Sequence, residues 1–242
     1  MATANTPTSA HFAVTRWSMV LAAGDWRVGS AAQRAMGELA RMYWFPLYAY
    51  LRRKGNSPSQ AEDLVQGFFL RLLEKDALVT VDRTKGKFRS FLLASLTNFM
   101  ANEWDKSRAQ KRGGGKEILP LDAMDAEARY ASEPVDEMSP ERVFERRWAL
   151  AVLEQVLANL LDEYTARGQT AIFAALEQML VGGQDTSYAQ IAERLAMTEG
   201  AVKVAAHRLR RRFRELLREE IAQTVSEREL VDEEIRQLLA SL

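Results

Sequence analysis

The sequence predicts an all-α protein: two helical domains joined by an acidic linker, the C-terminal one containing a helix-turn-helix. Apolar residues recur at three- and four-residue spacing, and no run alternates in the strict two-residue, β-branched manner of strands. Helix-start signals stand at Ser57, Ser139 and Ser187. With 242 residues the chain exceeds the usual single-domain size, and 47% hydrophobic with 27% charged residues suffices for a core in each half.

Residues 1–30 lack a basic start followed by an apolar run and are read as an N-terminal extension. The first domain, 31–112, holds two clear helices. Ser57-Pro58-Ser59-Gln60 sets a capping serine, a first-turn proline and a glutamine three residues on, ahead of a core face of Ala61, Leu64, Val65, Phe68 and Leu72. The next helix starts near Phe88, packs through Phe88, Phe91, Leu92, Ser95, Leu96 and Phe99, and stops at Gly113-Gly114-Gly115. Residues 113–138, acidic and with little periodicity, read as a solvated linker. The second domain, 139–222, opens at Ser139-Pro140-Glu141 with a helix carrying Phe144, Trp148, Ala151 and Leu157. Residues 223–242 form an acidic C-terminal extension, either a short helix or a frayed end.

The formal net charge is zero, but the charges are segregated. Between Arg83 and Lys116 nine bases face two acids, a net of +7; between Glu117 and Glu141 eight acids face one base, a net of −7. Lys203 to Arg214 then carries six bases and no acid. Two basic blocks flanking an acidic spacer point to nucleic acid.

Thr186 to Leu217 reads as two helices with a tight turn at Ala196-Met197-Thr198. Ser187 with Gln190 makes a capping box, and Tyr188, Ile191, Ala192 and Leu195 share one face. Thr198 caps the second helix, whose predicted buried stripe is Val202, Ala205, Leu209, Phe213 and Leu216. Lys203, His207, Arg210, Arg211, Arg214 and Arg218 form a basic ridge on another face. Such a helix fits the major groove, with its first turns reaching base edges and flanking arginines on phosphates. An ordinary hairpin with a solvated arginine face is the competing reading.

Ser187 to Leu217, above all Gly200-Ala201-Val202-Lys203 and His207-Arg208, resembles region 4 of bacterial extracytoplasmic-function (ECF) sigma factors of the sigma-70 family. The resemblance implies that Lys203, Val204, His207 and Arg208, with Arg210 and Arg211 beside them, face the minus-thirty-five element. Val204 and Ala205 depart from the polar or basic residues common there. Ala61-Glu62-Asp63-Leu64-Val65-Gln66 and the following Phe68 to Leu72 resemble the helix of region 2 that binds polymerase, which implies docking through Asp63, Gln66, Leu70 and Glu74. These four recur at helical spacing off the core stripe. Gly67 stands where an acid is common.

Lys87 to Leu92 and Asn98 to Trp104 resemble the segments that open the minus-ten element, implying Lys87, Arg89, Asn98, Asn102, Lys106 and Arg108 as contacts. Asn98 and Asn102 lie one turn apart and offer amide edges, and Trp104 offers a stacking surface against the cost of unstacking a base. The longer run between Leu160 and Thr186 and the residues past Glu220 suggest a divergent subgroup with a C-terminal extension.

As a resemblance, this implies a sigma factor whose partners are core RNA polymerase and promoter DNA, with an anti-sigma factor or a regulatory kinase as candidate controls. A stand-alone helix-turn-helix regulator and a polymerase-binding module without promoter activity remain as alternatives. An enzyme is not expected: the only histidines are His11 and His207, no metal motif occurs, and Gly113 to Gly115 lacks the Lys-Ser/Thr of a nucleotide loop. No catalytic residue, metal or cofactor is assigned. With no cysteine and no long apolar run, a cytoplasmic, non-membrane location is expected.

Overall fold

The computed structural model describes residues 30–74, 87–109, 123–131, 138–180, 187–225 and 227–242. The described residues form nine α-helices and two short 3-10 turns, without strands, as an all-α fold requires. None of these helices is long and apolar enough to cross a membrane.

Helix α1, Ser30–Arg53, is the hub. From Leu39 to Leu51 it buries residues on nearly every side, among them Tyr43, Leu47, Tyr48 and Leu51, as a helix does only when surrounded by others. Trp44 and Tyr48, one turn apart, stack with ring centroids 5.2 Å apart. At its end Asn56 donates its amide to the Leu51 carbonyl and Gly55 to that of Arg52, with Gly55 at φ +90°. This is the paired-bond terminator that favours glycine.

Helix α2, Pro58–Glu74, starts on the expected capping box: Gln60 N–H donates to Ser57 Oγ at 3.3 Å and Ser57 N–H to Gln60 Oε1 at 3.0 Å. Ala61, Val65, Phe68, Phe69 and Leu72 are buried. Leu64, expected in the core, is half-buried at the rim, and Phe69 takes the inward place. Helix α3, Phe88–Ala109, buries Phe88, Leu92, Leu96, Phe99 and Met100. A Cβ on Gly67 would stand 3.2 Å from Phe99 Cζ, a tight approach that obliges the ring to give by a few tenths of an ångström. The glycine stop at 113–115 lies outside the described residues.

The segment read as a solvated linker holds helix α4, Ala123–Ala131, laid on α1. Ala126 is buried, and Glu127 accepts from Arg52 Nε at 2.9 Å and Nη2 at 2.7 Å and from the Tyr48 hydroxyl at 2.5 Å. Those donors, Arg52 foremost, hold the Glu127 carboxyl below the usual carboxylate range. The guanidinium groups of Arg129 and Arg147 both lie against the Phe45 ring, at 4.6 and 4.7 Å from its centroid.

Helix α5, Pro140–Ala166, is the spine. Ser139 caps it, accepting from Arg142 N–H at 3.3 Å. Val143, Phe144, Trp148, Val152, Val156, Leu160 and Tyr164 form one buried stripe. Ala151 and Leu157, the other two positions expected to pack, are half-buried. Its first half lies along α1, and its second meets α8 through Glu163. Trp148 is fully buried, so truncating it to alanine costs about 3–5 kcal/mol. One apolar core therefore runs from α1 to the C-terminus. A short helix α6, Thr170–Leu176, follows a second glycine terminator at Gly168, φ +67°.

Helices α7, Tyr188–Arg194, and α8, Glu199–Ala222, are joined by the expected tight turn. Ser187 and Gln190 cap each other reciprocally, and Thr198 accepts from Ala201 N–H at 3.2 Å. The turn bonds from Met197 to the Ala192 carbonyl and from Ala196 to that of Glu193 repeat the glycine-terminated pattern, here with Ala196 at φ +53°. The buried face of α8 is Val202, Ala206, Leu209 and Leu216; Ala205 and Phe213, expected on it, are half-buried beside it. Residues 231–240 form α9, which packs on α8 and α5 with Val231, Glu234 and Leu238 buried, so the tail is a seated helix and not a frayed end.

Candidate nucleic-acid interface

Capping by Thr198 and the buried stripe of α8 together fix which side of that helix faces out. Lys203, Val204, His207, Arg208 and Arg211 are exposed, and Arg210 is half-buried with its Nη1 donating to the Tyr188 hydroxyl at 3.2 Å. Lys203 pairs one turn back with Glu199 at 2.7 Å, which raises its ammonium pKa, and Arg211 pairs one turn on with Glu215 at 2.9 Å. Both pairs are solvent-facing and cost little to exchange for a phosphate. Arg208 makes no ion pair among the described residues.

Arg212, in the middle of the same basic run, does something else. Its guanidinium grips Glu163 of α5 with Nη2–Oε1 at 2.7 Å and Nε–Oε2 at 3.0 Å, holding that carboxyl below its ordinary range and its own pKa above. Arg218, counted in the ridge, is paired to Asp232 at the start of α9. The usable cationic face is thus narrower than the sequence suggests, centred on the first three turns of α8.

In front of these turns lies a groove of about 370 Å³ between α8 and the α5–α6 corner, lined by Tyr164, Gln169 and Ile172 on one side and Gly200, Ala201, Val204 and Arg208 on the other. Val204 is 50% exposed. Small residues at the start of α8 permit close approach of a partner, and Val204 adds an apolar contact of the kind a thymine methyl accepts.

On α3, Asn98 and Asn102 are exposed and open onto a cavity of about 240 Å³ floored by Phe68, Phe91 and Phe99 and edged by Ser95 and Arg71. The Arg71 guanidinium sits over the Phe99 ring at 5.9 Å. Aromatic floor, amide edges and a cation are the parts a captured base uses. Arg71, inside the quoted Phe68 to Leu72 stretch, was not singled out from sequence, and Ser95 was read only as a packing position. The side chains of Trp104, Lys106 and Arg108, like that of Glu74, lie outside the described ones.

Lys87 and Arg89 are placed differently from the two asparagines. Nine residues separate Arg89 from Asn98, half a revolution in excess of whole turns, so the two lie on opposite faces of α3. Arg89 is only 4% exposed, and both bases point at acids of α5 and α9. On α2, Asp63 is exposed and Gln66 and Leu70 are half-buried on one outward face. The described residues contain no group of three His, Asp or Glu side chains able to hold a metal.

Residues 39–110, which run from the middle of α1 through α2 and α3, match the family model of Sigma-70 region 2. No curated protein and no solved structure matches the chain. The likeness is confined to that segment, less than a third of the chain.

Proposed function

We propose, starting from the Sigma-70 region 2 segment at residues 39–110, that this chain is a sigma factor of ECF type that brings core RNA polymerase to specific promoters and assists their opening. The observation that carries the reading is the placement of that segment's features: an outward α2 face of Asp63, Gln66 and Leu70, and an asparagine-edged cavity on α3. The first suits docking on polymerase, where half-buried and charged side chains share one helix face. The second suits a base extruded from the opened minus-ten element. The α8 face of Lys203, Val204, His207 and Arg208 suits the minus-thirty-five element in duplex form, since a capped helix start with small residues can enter a major groove. The protein acts by binding and positioning, with the polymerase supplying the chemistry.

A regulator that never joins polymerase would use the α8 face and leave the α2 face without a task. Co-elution with purified core polymerase separates the two. Wild-type chain comigrates with the enzyme, whereas Asp63→Arg with Gln66→Ala elutes alone while retaining its fold. Elution of wild type apart from polymerase at micromolar concentrations rejects the sigma reading in favour of the stand-alone regulator.

A further inference from the structure

Helix α9 meets the start of α3 in a partly buried cluster of ions. Glu234, 1% exposed, pairs through Oε2 with Lys87 Nζ at 2.6 Å and through Oε1 with the Arg89 guanidinium. Gln237, one turn on, accepts from both bases. Arg89 also donates Nε to Glu145 of α5 at 2.7 Å and lies 4.3 Å over the Trp148 ring. Two cations and two carboxylates from three helices thus close on one another.

Glu234 and Gln237 supply the polar contacts of α9 to the start of α3, while Val231 and Leu238 of the same helix lie in the main core. Glu234 and Arg89 are removed from water while Lys87 and Glu145 stay about one-third exposed, and the desolvation of the buried pair offsets much of what its pairing gains, so the cluster holds two elements with little net strength. Burial, with Arg89 alongside, keeps the Lys87 ammonium below its ordinary pKa even with a carboxylate at 2.6 Å. Apolar residues of similar volume would fasten α9 at least as firmly. What a carboxylate offers is oxygens presented to a lysine and an arginine, the same charge-assisted bonding that a backbone phosphate gives.

We propose that α9 is an autoinhibitory latch, in which Glu234 occupies on Lys87 and Arg89 the place of a nucleic-acid phosphate and leaves it when DNA is engaged. The inference rests on the reading above, in which the start of α3 contributes to DNA binding. In the closed form Arg89 is buried and Lys87 is partly covered, and α3 is tied to α5 and α9. Opening withdraws Glu234 and Gln237 from both bases without unfolding the segment's own core of Val65, Phe68, Leu92 and Leu96.

The test is fluorescence anisotropy of a labelled single-stranded DNA oligonucleotide titrated with the full-length chain in the absence of polymerase. Glu234→Gln, which keeps the shape and removes the charge, binds about tenfold more tightly than wild type, the equivalent of one lost pairing in the closed state. A chain ending at Val225 binds at least as tightly as that variant, and a synthetic peptide of residues 227–242 displaces the DNA from it, whereas the same peptide with Glu234→Gln does not. Equal DNA affinity of wild type and both variants, or a peptide that binds without displacing DNA, overturns the latch. Polymerase is absent, so that failure leaves the sigma reading standing; displacement by the peptide without co-elution on polymerase does the reverse.

Discussion

Arg208 and Arg212 stand four residues apart in one basic run, yet one is exposed and the other grips Glu163, and exchanging each for glutamine separates the proposed DNA contact from the structural one. Arg212→Gln removes a two-point grip on Glu163, in which both side chains are about 30% exposed, together with exposed contacts to Glu215 at 3.3 Å and Glu219 at 3.1 Å. A charge-assisted pair of this kind contributes about 1–3 kcal/mol when buried, and partial exposure places it near the lower end. For a chain of this size about 1 kcal/mol lowers Tm by roughly 2–4 °C. Arg208→Gln, at an exposed position without an ion pair, changes stability by less than about 0.5 kcal/mol. On the proposed DNA-facing role, its loss removes one phosphate contact and lowers the salt slope of promoter affinity by about 0.9. Thermal unfolding and promoter binding by the polymerase complex across a salt series read the two effects. If Arg208→Gln unfolds as early as Arg212→Gln, or if only Arg212→Gln lowers the salt slope, the assigned faces of α8 are wrong.

Ala196→Gly relieves the left-handed backbone at φ +53° and raises stability by about 0.5–1 kcal/mol in denaturant unfolding, a gain that an already relaxed turn would not show. Gly67→Leu drives a side chain into Phe99 and costs about 1–3 kcal/mol, read in the same assay, whereas the exposed Gly200→Ala stays within about 0.5 kcal/mol. Glu127 and Glu163 are depressed in the folded state, so their contribution is complete above the unfolded carboxylate pKa of about 4.3 and is lost as pH falls through the lower folded values. Stability against pH in wild type should therefore fall below that point more steeply than in Glu127→Gln with Glu163→Gln; parallel curves contradict the assignment.

The helix starts were legible because capping chemistry is local. Ser57, Ser139, Ser187 and Thr198 each accept the amide three residues on. The outward face of α8 was legible for a similar reason, since one helix's periodicity decides it. Partnership across the chain was not. Nothing near Arg89 in sequence reveals that Glu145 and Glu234 close around it, and its place in a basic block suggested an exposed contact. Acidic composition hid α4, because Ala126 and Tyr130 give it only a small apolar face and its docking depends on Arg52 from α1. The tail carried a readable signal in Val231, Glu234 and Leu238 at helical spacing, but only the tertiary fold shows why an acid occupies the inward face.

Run-off transcription with purified core polymerase and a promoter library tests the central claim most directly. The account predicts defined start sites that appear only with the protein and that weaken with Arg208→Gln while polymerase co-elution is unchanged. Folded wild-type protein that binds polymerase yet yields no start site on any promoter spacing contradicts it.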